Sequence, residues 1–278
     1  MTYYTKQIVL PKSESHKGEN GKVLVIGGSK LFHAASFWAA AVAAKIVDMV
    51  HFSSPVIENN ELMRVKAKGK FWNGIVVPWE EVEHYIAEDD CILMGPGMER
   101  GEETKEIVDA LLAKYPGKRW VVDGGALQEV NPKLLNKNMI ITPNARELDI
   151  LFERTGMQYA VSSKKENKQL VQKLAKQLGC TVLAKGPVDV IVGSEQVVLE
   201  IKGGTPAMTK GGTGDVLAGV VAGLYAKSPA TAAAVTASQV NKRAGEALAK
   251  RVGVYFGASD LLTAIPEVLR QMLKVNKG

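Results

Sequence analysis

The stretch Thr209-Lys210-Gly211-Gly212-Thr213-Gly214-Asp215-Val216-Leu217-Ala218-Gly219 decides how this chain is organised. It holds four glycines and one aspartate, and an apolar segment with helical spacing follows it. A glycine-rich turn that opens a helix lets a ligand approach the backbone closely. The first N–H groups of a helix lack internal partners, and the helix dipole favours an anion there. The stretch therefore predicts a phosphate site, with Asp215 facing whatever the amides hold.

A simpler interpretation of the same stretch is a tight turn in which Asp215 caps the helix. That interpretation would suffice for a single Gly-Asp pair. Here Gly211, Gly212 and Gly214 are more glycines than a cap requires, and Thr213 adds a hydroxyl group. The pattern favours an anion site in which Gly212, Thr213 and Gly214 bind phosphate and Asp215 acts as a base.

Composition limits the classes of function that remain. The chain has 278 residues, of which 46% are apolar, so it can bury a sizeable core. Its net charge of +6 fits a small polyanionic ligand as well as it fits nucleic acid. Aromatic residues make up only 6%, and no basic run is interleaved with aromatics, so we expect no nucleic-acid partner.

The cysteines and the apolar runs indicate a cytoplasmic protein. Cys91 and Cys180 lie far apart without metal-binding spacing, which is typical of free thiols in a reducing compartment. Residues 1–6 do not resemble a secretion signal. The apolar run 37–44 stops at Lys45 and is too short to span a membrane, so we expect no membrane partner.

Strands and helices alternate along the chain. We predict strands at 22–28, 49–53, 75–77, 91–94, 120–123, 139–142 and 181–183, and a hairpin over 189–201. We predict helices at 34–47, 104–114, from 148, and at 164–178, 216–225, 230–250 and 266–274. This alternation indicates a mostly parallel sheet with helices on both faces. No Pro/Gly/Ser linker divides the chain, so we expect one domain over residues 1–278.

Polar or glycine-rich turns follow most of the predicted strands. They lie at 27–29, 95–97, 123–125, 144–147 and 185–186. A single glycine after a strand is usually only a turn. Because the carboxyl ends of parallel strands meet at one edge of the sheet, the five turns and the 211–215 loop together predict an extended ligand cleft.

Two other nucleotide motifs do not fit. The chain lacks Gly-x4-Gly-Lys-Ser/Thr, so it is not a P-loop protein. Residues 95–101 come close to Gly-x-Gly-x-x-Gly but are one residue too long, although Asp123 ends the next strand as that fingerprint requires. Glu99, Arg100, Glu102 and Glu103 make a charged turn that would repel a pyrophosphate there, which disfavours a dinucleotide-binding dehydrogenase.

The segment 210–219 resembles the signature of the ribokinase-like superfamily, and within it the nucleotide-dependent NAD(P)H-hydrate dehydratases. Further segments resemble that family in the same order: 15–18, 25–29, 95–97, 122–127, 142–144 and 183–186. The resemblance covers nearly the whole chain. It implies a ribokinase-like fold with three α/β/α layers, and an enzyme that restores NADH or NADPH from its hydrate with ADP or ATP and Mg²⁺.

The resemblance also implies roles for particular residues. The hydrated nicotinamide nucleotide would contact Ala35, Gly97, Asn144 and Asp215. The adenine nucleotide would contact Lys185, Gly186, Pro187, Val188, Asp189 and Gly214. Glu147 would organise Mg²⁺ indirectly, and Asp215 would be the catalytic base. The family likeness further implies a homo-oligomer such as a tetramer, and the alanine-rich segments 34–44 and 230–237 would permit close helix contacts.

The sequence departs from the family at two places on the substrate side. Phe32-His33-Ala34-Ala35 stands where the family usually has Tyr-Thr-Gly-Ala. Thr142-Pro143-Asn144-Ala145-Arg146-Glu147 stands where it usually has Thr-Pro-His-Pro-Gly-Glu. The Asn144 to Glu147 spacing instead resembles the Asn-x-x-Glu of sugar and vitamin kinases in the same superfamily.

Three functions therefore remain open at this point. In a dehydratase, Asp215 deprotonates the substrate hydroxyl, which attacks the terminal phosphate, and the phosphate ester is then eliminated. In a small-molecule kinase for a vitamin precursor or sugar, the ester is the product. In a non-catalytic nucleotide-binding protein no transfer occurs, but the intact Gly212 to Asp215 stretch disfavours that alternative. The order of motifs along the chain favours the dehydratase.

Overall fold

A computed structural model describes residues 3–66, 73–157 and 164–273. Its described residues form a nine-stranded sheet in the order β3-β2-β1-β4-β5-β6-β7-β8-β9. The strands are β1 (Lys22–Ile26), β2 (Met49–Ser53), β3 (Ile75–Val76), β4 (Cys91–Met94), β5 (Arg119–Val122), β6 (Met139–Ile141), β7 (Thr181–Ala184), β8 (Asp189–Val192) and β9 (Val198–Ile201). Neighbouring strands from β3 through to β7 are parallel, and β8 and β9 continue the sheet as the predicted antiparallel hairpin.

The helices lie on both faces of this sheet, as the alternation of elements predicts. They are α1 (His33–Ala43), α2 (Ile57–Glu61), α3 (Val82–Glu88), α4 (Glu102–Lys114), α5 (Gly124–Glu129), α6 (Ala145–Arg154), α7 (Lys164–Leu178), α8 (Thr213–Tyr225), α9 (Ala230–Val252) and α10 (Ala258–Leu273). One turn of π-helix at Leu62–Lys66 extends α2. The three-layer α/β/α fold is confirmed.

Two cores, one on each face of the sheet, hold the layers together. Val23 and Val25 of β1 face the core that α1, α8, α9 and α10 cover. Leu24 and Ile26 face the core that α3 to α7 cover. All four side chains have no exposed surface. Since successive residues of a strand point to opposite faces, a strand buried on both sides must be apolar throughout, which explains the continuous run 23–26.

The last helix begins earlier than we predicted. A start at Pro266 is wrong, because α10 already begins at Ala258 and passes through that proline. Leu261, Ile265 and Val268 share its buried face, and this burial offsets the backbone hydrogen bond that the proline removes. The predicted end at Lys274 lies outside the described residues.

Short elements account for most of the other differences. Helices α2 and α3 were not predicted, and α5 replaces the glycine turn expected at 124–125. These helices have five to seven residues, too few to show a helical period in the sequence. No helix in the described part of the chain combines the length and the hydrophobicity needed to cross a membrane.

Candidate active site

The candidate site lies at the carboxyl edge of the sheet, where the turns after five parallel strands meet as expected. Backbone hydrogen bonds join these turns to each other. Gly28 N donates to Pro96 O over 2.8 Å, Gly125 N to Gly95 O over 3.2 Å, and Lys185 N to Pro143 O over 2.7 Å. The turns after β1, β4 and β5 are thereby joined to one another, and those after β6 and β7 form a second joined pair.

Four charged side chains converge at this edge, and we call them the charge cluster: Asp123, Glu147, Lys185 and Asp215. Lys185 Nζ lies 2.7 Å from Asp123 Oδ1 and 3.8 Å from Glu147 Oε2. Asp123 is 2% exposed and also accepts a hydrogen bond from the Thr142 hydroxyl over 2.7 Å. The cluster therefore places one half-buried ammonium group among three carboxyl groups.

Asn144 and Glu147 form a capping box at the start of α6. Asn144 Oδ1 accepts a hydrogen bond from Glu147 N, and Glu147 Oε2 accepts one from Asn144 N over 2.7 Å. Gln128 Nε2 donates to the other carboxylate oxygen of Glu147 over 3.2 Å. Asn144 therefore holds Glu147 in the charge cluster, in addition to the substrate contact that the resemblance assigns to it.

Asp215 lies in the first turn of α8, and its pKa is shifted towards neutrality. Burial, reinforced by repulsion from Asp123, raises the pKa of Asp215 to about 7, and Lys185 opposes both effects. A carboxyl group with a pKa near neutrality can take a proton from a hydroxyl group and release it again at physiological pH. This is the property that a general base requires.

Lys185 keeps its positive charge despite its burial. Burial alone would lower the pKa of Lys185, but Asp123 and Glu147 outweigh this effect and raise it. Burial also raises the pKa of Glu147, while Lys185 opposes the change. Lys185 therefore supplies a permanent cation beside the glycine loop, where the phosphate of a nucleotide would lie.

Two glycines of the loop at 209–215 occupy positions where a side chain would collide with or crowd a neighbour. Gly212 precedes α8 with φ +92°, a conformation that glycine adopts without strain. A side-chain carbon there would overlap the ring of Trp38 and come within 2.7 Å of Ala258 Cβ. A similar carbon at Gly214 would lie 3.4 Å from Lys185 Nζ, so Gly214 leaves the ammonium accessible beside the loop.

The hydroxyl of Thr213 contacts the loop itself. Its Oγ1 lies 2.6 Å from Met208 O and 2.9 Å from Lys210 O, and it donates to these carbonyls. The hydroxyl therefore stabilises the loop, and binding of an anion would fall to the backbone amides at the start of α8. The predicted role of Thr213 in nucleotide binding stays a prediction.

Replacing Gly212 by alanine is expected to displace the loop. The strained φ and the overlap with Trp38 should lower the free energy of unfolding by about 2 kcal/mol or more, because neither neighbour can move away freely. Chemical denaturation measures this loss. Gly211→Ala is the matched control, since no atom lies within 4 Å of the added carbon. Equal stability of the two variants would contradict the assigned loop geometry.

The turn after β7 carries the other residues predicted to bind nucleotide. Asp189 begins β8, and its Oδ1 accepts a hydrogen bond from Gly186 N over 2.9 Å. The Asp189 side chain thus closes the turn 186–189 on itself. Gly186, Pro187 and Val188 are the backbone of this turn, and Lys185 at its start points into the charge cluster.

The substrate-side residues meet where β1 and β4 end. Gly97 has φ +75°, and a side-chain carbon there would overlap Phe32 O and lie 3.1 Å from Ala35 Cβ. Ala35 and Gly97 are therefore neighbours, and their contact with substrate stays a prediction. Phe32 is 56% exposed at the same place, so the departure Phe32-His33-Ala34-Ala35 presents an aromatic ring at the edge of the site.

A family model described as NAD(P)H-hydrate dehydratase matches residues 23–267. The chain belongs to the NAD(P)H-hydrate dehydratase family. It is 36% identical over 282 residues to the ADP-dependent (S)-NAD(P)H-hydrate dehydratase of Nitrosopumilus maritimus, covering 95% of this chain and 93% of that protein. The resemblance that the motifs at 95–97, 122–127 and 210–219 indicate thus agrees with a comparison over nearly the whole chain.

Other members of the dehydratase family are longer. The chain is 34% identical over 267 residues to the bifunctional NAD(P)H-hydrate repair enzyme of Methanocaldococcus jannaschii, and that match covers 93% of this chain and 50% of the relative. The chain therefore spans about half the length of such relatives. A solved ribokinase-like superfamily protein of Enterococcus faecalis V583 has a TM-score of 0.79 at 22% identity, covering 97% of this chain and 93% of that one. This likeness confirms the ribokinase-like fold.

Oxygen atoms dominate the donors that this dehydratase family member offers to a metal ion. Asp123 and Glu147 are the carboxylates that lie beside Lys185, and oxygen is the ligand that Mg²⁺ prefers. Within residues 3–66, 73–157 and 164–273, no group of three or more His, Cys, Asp or Glu side chains is placed to hold a metal directly. The donor set suits an ion bound through water and nucleotide phosphates.

Asp123 is the residue whose importance we missed in the sequence. From the sequence we placed it in the turn 123–125 after a strand and assigned it no site role of its own. In the structure it pairs with Lys185 and raises the pKa of Asp215. Its position at the end of β5, in line with the other four turns, was the available signal, but the sequence did not show which acid faces the lysine.

Proposed function

We propose that this chain dehydrates the hydrates of NADH and NADPH in a reaction driven by ADP, with ATP as the alternative phosphate donor. The observation that carries the proposal is the pKa of Asp215, raised to about 7 beside a glycine loop and a half-buried lysine. Membership of the dehydratase family supports the substrate, and the name of the N. maritimus relative supports ADP.

The reaction has two steps at the charge cluster. Asp215 takes the proton of the substrate hydroxyl, and the oxygen attacks the terminal phosphorus while the bond to the leaving nucleotide breaks. The carbon–oxygen bond then breaks as the ring nitrogen supplies its lone pair, and phosphate leaves. The neighbouring ring carbon loses a proton, and the nicotinamide double bond returns. ADP is converted to AMP plus phosphate, or ATP to ADP plus phosphate.

The residues around Asp215 stabilise the charge that develops in the first step. The amides at the start of α8 point to the place where the phosphate would lie, and Lys185 adds a cation beside Gly214. Gly97, Ala35 and Asn144 would hold the nicotinamide half of the substrate near the same point. Mg²⁺, held through water by Glu147 and Asp123, would neutralise phosphate charge when bound.

A kinase of a vitamin precursor or sugar is the second candidate function. The capping box of Asn144 and Glu147 favours it, because this pair resembles Asn-x-x-Glu and reaches the charge cluster through Lys185. The first chemical step would be the same, and the phosphate ester would be released instead of eliminated.

NADH hydrate and NADPH hydrate, prepared without enzyme, test the proposal. The protein with Mg²⁺ and either ADP or ATP should restore the absorbance of the reduced nicotinamide, and the more effective nucleotide identifies the phosphate donor. Absence of recovery, together with transfer of phosphate to a vitamin or sugar hydroxyl, would favour the kinase. Nucleotide binding with neither reaction would contradict both enzymes.

A homo-oligomer such as a tetramer, and a cytoplasmic location, stay proposals. The alanine-rich helices lend the oligomer less support than we argued from sequence, because several of their alanines pack inside the chain. Ala39 and Ala40 of α1 and Ala233 of α9 have no exposed surface. The support that remains is the family likeness, and light scattering on the purified protein measures the mass.

A further inference from the structure

One face of helix α9 carries three polar residues that contact two segments beside the proposed nucleotide site. These segments are the turn 186–189 and residues 203–204. They are Ser238, Lys242 and Glu246, which are spaced four residues apart and so lie above one another on the helix. Ser238 Oγ donates to Asp189 Oδ2 over 2.7 Å, and Glu246 Oε1 accepts a hydrogen bond from Gly204 N over 2.8 Å. Neither the family likeness nor the motifs assign a role to this face.

Lys242 is the centre of this arrangement. Its side chain is 10% exposed, and its Nζ lies 3.2 Å from Asp189 Oδ1 and 3.0 Å from Gly186 O. Two longer contacts reach Pro187 O at 3.4 Å and Gly203 O at 3.5 Å. A single buried ammonium group therefore joins the turn 186–189 to the segment that leads into the glycine loop.

Both carboxylate oxygens of Asp189 are engaged within the protein. Its Oδ1 accepts from Gly186 N and pairs with Lys242, and its Oδ2 accepts from Ser238. The side chain is 4% exposed. A carboxylate that is buried and bonded on both oxygens fixes the backbone around it. Contact between this turn and a nucleotide would therefore come from backbone groups of residues 186–188.

We propose that Lys242 is a positioning residue for the nucleoside diphosphate, because it holds the turn 186–189 at a fixed place beside the segment 203–204. This inference rests on the proposed function, in which ADP binds at these loops. Without Lys242, the carbonyls of Gly186 and Gly203 lose their shared donor, and the turn must be ordered when ADP binds. Ordering a loop on binding lowers affinity.

Lys185 is fixed independently of Lys242. Lys185 N donates to Pro143 O, and Lys185 Nζ pairs with Asp123, each over 2.7 Å. Loss of Lys242 therefore loosens the turn after Lys185 while the charge cluster keeps its contacts. The effect should fall on nucleotide affinity more than on the chemical step.

Calorimetry of ADP binding to the full chain tests this inference, together with steady-state kinetics on NADH hydrate. Lys242→Met is expected to raise the Kd and the KM for ADP about tenfold. The kcat at saturating ADP should fall by a smaller factor, and the KM for NADH hydrate should change least. Lys118→Met is the matched control. Its ammonium also donates to backbone carbonyls, those of Ala87 and Asp89, at the opposite edge of the sheet.

Ser238→Ala provides a milder variant that removes one hydrogen bond to Asp189 and keeps the helix. We expect the Kd for ADP to rise about threefold. If wild type binds ADP and both α9 variants bind it equally well, the inference is overturned while the proposed function stands. The inference is also overturned if the KM for both substrates rises in parallel, since that indicates a general structural role. If wild type does not bind ADP, this inference and the nucleotide half of the proposed function fail together.

Discussion

Asp215→Asn is expected to lower the rate of NADH hydrate repair by about 10³-fold while the protein stays folded. The amide keeps the shape of the carboxyl group but cannot accept the proton of the substrate hydroxyl, and general bases typically contribute 10²–10⁴-fold. In wild type, kcat/KM should rise with pH up to an apparent pKa near 7, because Asp215 must be ionised to act. The recovery of nicotinamide absorbance, followed from pH 5.5 to 8.5, measures both effects.

The same substitution should change stability in a direction that depends on pH. The pKa of Asp215 is raised in the folded state, from 3.8 to about 7. The preferential protonation of Asp215 in the folded state adds to the free energy of unfolding. This contribution is fully present below about pH 4, declines as the pH rises, and is lost above about pH 7. The loss is on the order of 4 kcal/mol for a shift of this size. Asp215→Asn should abolish this part of the pH dependence and stabilise the protein at pH 8.5.

Two results would contradict these assignments. A variant that retains full activity would exclude Asp215 as the base. A variant whose thermal stability follows pH in the same way as wild type would exclude the raised pKa. Asp260→Asn is a suitable control, because Asp260 is an exposed acid that likewise lies in the first turn of a helix.

Lys185→Met is expected to destabilise the protein by about 3–5 kcal/mol, since it leaves Asp123 and Glu147 buried without their cation. Activity should fall about 10²-fold at pH 7. Lys185 opposes the rise in the pKa of Asp215, so its removal keeps Asp215 protonated to higher pH. Part of the activity should therefore return at pH 9, and this alkaline shift of the pH profile is the decisive measurement.

Lys168→Met is the control for this experiment. Lys168 pairs with Glu200, but both side chains are 36% exposed and water screens the pair. Its loss should cost less than about 1 kcal/mol and leave the pH profile in place. A pH profile for Lys185→Met that still turns near pH 7 would show that Lys185 does not set the pKa of Asp215.

The sequence was most informative where burial leaves a periodic pattern. The strands 22–26, 49–53 and 91–94 and the helices at 104–114 and 164–178 follow from apolar spacing, because both faces of the sheet are covered. Pro266 misled the prediction of α10, since a buried apolar face outweighed one missing hydrogen bond. Short helices such as α5 leave no period to detect.

The site was predictable to the level of its loops but not of its side-chain contacts. Parallel strands bring the turns at 95–97, 123–125 and 185–186 to one edge whatever their exact sequence. The pairing of Asp123 with Lys185 depends on register across three strands, which a single sequence does not reveal. The contacts of Lys242 depend on how α9 packs across the sheet, and no motif marks them.

The composition of the charge cluster links nucleotide affinity to cations and protons. Fully ionised, its three carboxylates and one ammonium carry a formal charge of −2, and an arriving diphosphate adds more negative charge. Repulsion of this kind is relieved when a divalent cation or a proton arrives with the ligand. By thermodynamic linkage, whatever strengthens nucleotide binding is itself bound more tightly once the nucleotide is present. The charge cluster thus disfavours free diphosphate and favours a neutralised complex. The proposed phosphate transfer would therefore begin only when the counter-charge it needs arrives with the nucleotide.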